Sequence, residues 1–169
     1  MFSELLDFSS FSNQEEIIDF LYSVFQEDFV VNRCYLANKV YIDPCSYRKA
    51  QGKERVFWHI ITKENPKTKV REFDKNRAKR IKWIRKIILN CNSNLIKLFY
   101  YYEKNKKVRL YLWAEAVDFI VIIQKLGKTS GYLVTSFYID KAFNKTTYQQ
   151  RYEDYINKKD ERLRNCEWF

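Results

Sequence analysis

His59 is the only histidine in this chain of 169 residues, and it stands upstream of an arginine series, Arg71, Arg77 and Arg80. An imidazole titrates near pH 6.5, so both protonation states exist at cellular pH and the ring can move a proton in either direction. Arginine stays charged, and its planar fork matches a phosphate group. Further along, Thr135, Ser136 and Tyr138 offer hydroxyl donors. These are the parts needed to cleave RNA without a metal, because the substrate carries its own nucleophile. A base takes the 2′-hydroxyl proton, an acid protonates the leaving 5′-oxygen, and cations or hydroxyls stabilise the charge that builds on phosphorus. In that chemistry His59 is general acid or base, and Arg71 and Arg77 are phosphate and transition-state ligands. Thr135 or Ser136 donates a hydrogen bond, Tyr138 is a further site residue, and Arg80 supports either arginine role.

Other chemistries lack their devices. The sequence contains no G-x-x-x-x-G-K-[ST], G-x-G-x-x-G or G-x-S-x-G, and only three glycines, so it offers no phosphate cradle and no nucleophile elbow. Its acids are dispersed, with Asp118 alone before an apolar run, which gives no carboxylate cluster for a metal. Cys34, Cys45, Cys91 and Cys166 show no C-x-x-C spacing. They read as buried or free thiols of a reducing compartment, and no cofactor or metal is expected. The first residues, MFSELLDF, carry acids where a signal peptide has bases, and no apolar run approaches a membrane span. A cytoplasmic protein with no membrane partner is the expectation.

The elements that must position these residues follow from patterning. A formal charge of +10 spread along the chain describes a surface that attracts polyanions, and 46% hydrophobic residues with 18% aromatics supply a core. Asp74–Leu89 predicts an amphipathic helix, with Asp74 as N-cap and Ala78, Ile81, Ile84 and Ile88 on one stripe. Arg77 falls on that stripe, where a guanidinium needs an acceptor. Ser12-Asn-Gln-Glu15 fits a capping box ahead of a helix over residues 13 to 28. Val30-Val31 and Val40-Tyr41-Ile42 read as short strands. Arg55–Thr62 reads as a strand on β-branched and aromatic content, which would put Phe57, His59 and Ile61 on one face. Three or four further strands follow over 95–103, 108–113, 117–124 and 131–139, joined by short connections that make antiparallel neighbours. Alternation places Ser136 and Tyr138 on one face of the last strand and Thr135 on the other unless a bulge intervenes. Phe119–Ile123 is continuously apolar and reads as a central strand, and residues 148–163 as a polar, loosely docked helix. The fold class is α+β: an antiparallel sheet of about four to five strands with helices on one face and the other face left for a ligand.

From Arg55 to Tyr155 the sequence also resembles a known family. The matching pieces are R-V-F-W-H-I at 55–60, R-E-F-D-K-N-R-A-K-R-I-K-W-I at 71–84, R-L-Y-L-W at 109–113, D-F-I-V-I-I at 118–123 and Y-L-V-T-S-F-Y at 132–138. Their order and spacing are similar to those of the phage-associated branch of the barnase, EndoU, colicin and RelE-like RNase superfamily. That resemblance implies a sheet with a preceding helix, metal-independent endoribonuclease activity and frequent use as a toxin. Carried over by position, it makes His59, Arg71, Arg77, Arg80 and Thr135 active-site residues, with Tyr138 beside them. The family often has T-A-Y-P where this chain has T-S-F-Y, so the family's tyrosine falls at Phe137. Residues 51–169 would be the RNase-like domain and residues 1–50 a helical extension.

The expected partner is therefore RNA, whether tRNA, rRNA or mRNA, together with an acidic inhibitor or antitoxin protein that complements the basic cleft. A non-catalytic RNA-binding module using the same basic helix and aromatic strands is the competing reading.

Overall fold

The computed structural model describes Phe2 and residues 4–169. Asn13, not Ser12, caps the first helix: its side chain accepts from the Glu16 N–H at 3.0 Å, and the Glu16 carboxylate accepts from the Ser12 N–H at 2.9 Å. The capping box is thus shifted by one residue. Helix α1 (Gln14–Phe25) runs into a π-helical turn, Gln26–Val31, so Val30 and Val31 are helical and not the strand expected. Strands β1 (Tyr35–Leu36) and β2 (Val40–Asp43) follow, then a hairpin of β3 (Lys49–Ala50) and β4 (Lys53–Glu54).

Arg55–Ile61 is helix α2, where a strand was expected. Its buried residues, Val56, Phe57, Ile60 and Ile61, recur at helical spacing, which a run this short does not distinguish from β content. A hairpin of β5 (Thr62–Glu64) and β6 (Arg71–Phe73) then returns the chain to the end of α2. The basic stretch forms two helices, α3 (Lys75–Ala78) and α4 (Ile81–Leu89), turning at Arg80. Asp74 caps α3 as expected, accepting from the Asn76 and Arg77 N–H groups, and the stripe Ala78, Ile81, Ile84, Ile88 is fully buried.

The last strands are β7 (Lys97–Tyr102), β8 (Val108–Ala114), β9 (Phe119–Lys125) and β10 (Ser130–Tyr138), followed by α5 (Ala142–Ile156). They pair antiparallel in chain order, and β9 is buried on both faces from Phe119 to Ile123.

Two expectations about the sheet need correction. It has six strands in the order β1-β2-β10-β9-β8-β7 and is mixed, because β2 lies parallel to β10 from Tyr41↔Ser130 to Asp43↔Tyr132. That pairing joins segments remote in sequence, which local patterning cannot report. Helices also cover both faces. On one, Leu21, Phe25, Phe57, Ile60, Ile84 and Ile88 pack with Leu110, Leu112, Val121 and Ile123. On the other, Tyr148, Tyr152 and Tyr155 of α5 cover Phe99, Tyr111, Trp113, Ile120 and Ile122. Those sheet residues are as apolar as the first face, so water is excluded there too. Phe29, Leu36 and Ile42, from before residue 50, belong to the same core as α2 and α4. Among the described residues no helix is long and apolar enough to cross a membrane.

Candidate active site

Because α2 buries Val56, Phe57, Ile60 and Ile61, the residues Arg55 and His59, one helical turn apart, share its outer face. Thr62 ends the helix, its hydroxyl bonded to the Trp58 carbonyl. Arg71 grips the same place: Nε donates to Thr62 Oγ1 and Nη2 to Thr62 O, both at 2.8 Å. Trp58 is fixed by its indole N–H, which donates to Ala50 O at 2.7 Å across the β3–β4 hairpin.

Arg77 reaches the same helix from beneath. Its Nη1 donates to His59 O and to Thr135 Oγ1, each at 3.1 Å, and Thr135 Oγ1 in turn donates to His59 O at 3.0 Å. Asp74 sits 3.6 Å from Arg77 Nε, and the Phe137 ring lies under the guanidinium at 5.8 Å. β2 pairs with β10 only over Ser130–Tyr132, so from Val134 onward that edge of β10 is free for α2 to pack against. A register shift between Leu133 and Thr135 accompanies the change. Arg77 and Thr135 thus lock the end of α2, and with it the position of His59, to the sheet.

His59 forms the shared wall of two open clefts. One, of about 270 Å³, is lined by Gln51, Arg55, Trp58, Thr62 and Arg71. The other, of about 260 Å³, is lined by Arg48, Arg55, Arg109, Tyr132 and Val134. Four arginines therefore converge on the histidine, and among the described residues neither ring nitrogen has a protein hydrogen-bond partner. Burial, and then the charges of Arg71, Arg55 and Arg77, hold its pKa below 6.5. The last turn of a helix favours a cation by about 0.3–1 kcal/mol, but here the three guanidiniums and burial outweigh it. At neutral pH the ring is an unprotonated acceptor, and an anion entering the clefts would offset the arginine charge and raise its proton affinity.

The seven residues singled out from sequence fall into two groups. His59, Arg71, Arg77 and Thr135 are together, though Arg77 and Thr135 hold the His59 carbonyl and do not line the clefts. Arg80 is apart: it is nearly buried, donates to Asn76 O at 2.7 Å and is stacked between Tyr138 at 4.2 Å and Trp83 at 5.3 Å. Tyr138 is thereby a packing partner of Arg80. Ser136 is fully buried opposite Val121, its hydroxyl without a partner among the described residues. Arg48, Arg55, Arg109 and Tyr132 were not singled out. Arg55 and His59 were detectable as a helical i, i+4 pair, whereas Arg109 and Tyr132 come together only through sheet register.

Larger cavities exist, including one of about 690 Å³ beside Lys82 and Arg85, but Arg85 there donates to the Asp28, Asn32 and Arg33 carbonyls, closing the π-helical turn. Among the described residues no group of three or more His, Cys, Asp or Glu side chains could hold a metal ion. Comparison of the chain with protein-family models, with curated proteins and with solved structures finds no match.

Proposed function

We propose that this chain is a metal-independent endoribonuclease of the barnase, EndoU, colicin and RelE-like type, acting in the cytoplasm as a toxin. The observation that carries the proposal is His59 standing unbonded between two clefts lined by Arg48, Arg55, Arg71 and Arg109. The unprotonated imidazole takes the 2′-hydroxyl proton, and the 2′-oxygen attacks phosphorus. As the P–O5′ bond breaks, the leaving oxygen takes a proton from water and the His59 imidazolium returns its proton to the hydroxide so formed, giving a 2′,3′-cyclic phosphate and a 5′-hydroxyl. The arginines bind the phosphate and stabilise its added charge. Arg77 and Thr135 act through His59, by fixing α2. The substrate is tRNA, rRNA or mRNA, and an acidic inhibitor protein would cover Arg48, Arg55 and Arg71.

The competing reading is a non-catalytic RNA-binding module. It is favoured by one feature: Arg77, Thr135, Ser136, Arg80 and Tyr138 are all engaged in packing or hydrogen bonds away from the clefts. The two readings separate on incubation of the chain and its His59→Ala variant with total cellular RNA in excess EDTA, mapping the ends of any fragments. Cyclic phosphate and 5′-hydroxyl ends from wild type alone support the nuclease. RNA that is bound but left intact by both proteins supports the module.

A further inference from the structure

The clefts beside His59 continue into a row of side chains that crosses the sheet. Tyr132 on β10 pairs with Gln124 on β9, Gln124 with Arg109 on β8, and Arg109 with Tyr101 on β7, so the four lie on one face in a line. Three inter-strand spacings make this line about 15 Å long. The adjacent row, Phe99, Tyr111 and Ile122, is buried under α5, whereas all four members of this row are only partly buried. It is the first row that the helix leaves open, except at Tyr101. At its far end Arg151 of α5 places its guanidinium 4.0 Å above the Tyr101 ring. At its near end Tyr132 and Arg109 line the cleft of His59.

The cations of this row are not consumed by acids. Among the described residues Arg151 has no ion pair, and Arg109 has only Glu103 at 3.9 Å, whose carboxylate already accepts from the Tyr111 hydroxyl at 2.5 Å. Two tyrosine rings separated by Gln124 and Arg109, with Arg151 at the far end, match a nucleic acid strand whose bases are unstacked and whose phosphates lie between them. Rings stack on bases without regard to sequence, and guanidiniums take the phosphates. A duplex keeps its base faces inside and could use only the cations.

We infer that Tyr132, Gln124, Arg109, Tyr101 and Arg151 form a track that binds the single-stranded RNA flanking the segment held at His59. This inference rests on the reading of the ligand as RNA, but not on its cleavage. Short RNA would fill only the clefts, and longer strands would gain affinity by running along the row to Arg151.

The test is fluorescence anisotropy with uncleavable 2′-O-methyl RNA, a trinucleotide and a dodecanucleotide, on wild type, Arg151→Gln and Arg151→Lys, each checked for an unchanged thermal melt. The expected result is that Arg151→Gln weakens the dodecanucleotide on the order of tenfold, as for loss of a charged hydrogen bond. It should lower the slope of log affinity against log salt by about 0.7, and leave the trinucleotide unchanged. Arg151→Lys should keep the slope. Equal effects on both lengths, or on neither, would overturn the track. So would a poly-glutamate chain losing affinity in parallel with the dodecanucleotide, which would make the row a surface for acidic polypeptides. A wild type that binds the long probe but cuts no natural RNA would defeat the nuclease proposal and leave the track standing.

Discussion

Replacing Arg77 by glutamine separates its role as a brace from a role as a phosphate ligand. The guanidinium makes two hydrogen bonds of 3.1 Å, to His59 O and Thr135 Oγ1, and pairs with Asp74 at 3.6 Å. Arg77 and Asp74 side chains are only 16% and 14% exposed, so solvent cannot replace what is lost. Hydrogen bonds from a charged donor contribute about 1.5–3 kcal/mol each, and Asp74 loses its nearer cation while keeping Lys63 at 3.9 Å and the Asn76 and Arg77 N–H donors. Part of this is returned because the guanidinium no longer has to be desolvated, and glutamine recovers part of one bond. A net loss of about 3 kcal/mol follows, a large share of the ~5–15 kcal/mol that holds a domain folded. In urea, with a slope of about 2 kcal/mol/M, the midpoint should fall by about 1.5 M. Arg77→Lys should not rescue it, since an ammonium cannot span both acceptors. Thr135→Val should cost about 1 kcal/mol, and the double variant less than the sum, because the two share the His59 carbonyl. An Arg77→Gln protein within 0.5 kcal/mol of wild type whose RNA turnover is nevertheless lost would refute the brace and return Arg77 to the phosphate.

Three further outcomes follow from the same geometry. With its pKa held below 6.5, folded His59 binds a proton less readily than the unfolded chain, so its neutral form gives full stability above about pH 6.5. That stability is lost as pH falls from there through the folded value; His59→Gln should flatten this part of the pH–stability curve, and inorganic phosphate should raise the imidazole pKa seen by NMR. Ser136→Ala should hold or raise stability by up to about 1 kcal/mol, because it removes a buried hydroxyl with no partner, and should leave turnover unchanged, as denaturation and RNA-cleavage assays would show. Tyr138→Phe keeps the ring against Arg80 and should leave both stability and cleavage at wild-type levels. Tyr138→Ala should cost about 3 kcal/mol in a denaturation curve.

Much of the core and part of the site could be read from residue spacing. The stripe Ala78, Ile81, Ile84, Ile88 and the Asp74 cap follow from helical period and capping chemistry, and β7–β10 from β-branched and aromatic runs with short links. α2 was misread because RVFWHII carries strand-forming residues in a helical pattern too short to show its period. With it went the pairing of Arg55 with His59. The covering of the second sheet face by α5 was hidden because Tyr148, Tyr152 and Tyr155 are spaced among glutamines, an arginine and acids that dilute the stripe. Arg109, Gln124 and Tyr132 could not be grouped from sequence, since their meeting depends on register across three strands. The neighbourhood of His59 and Arg77 was legible only as residue types; that Arg77 donates to the histidine's carbonyl is a fact of packing.

The central claim is that His59 lets RNA attack itself, and an oligonucleotide with a single ribose among 2′-deoxyriboses tests it most directly. In excess EDTA the wild-type chain should cut only on the 3′ side of that ribose, leaving a 2′,3′-cyclic phosphate, and His59→Ala should leave the strand whole. Cleavage of an all-deoxy strand, or equal cleavage by the variant, would contradict the account.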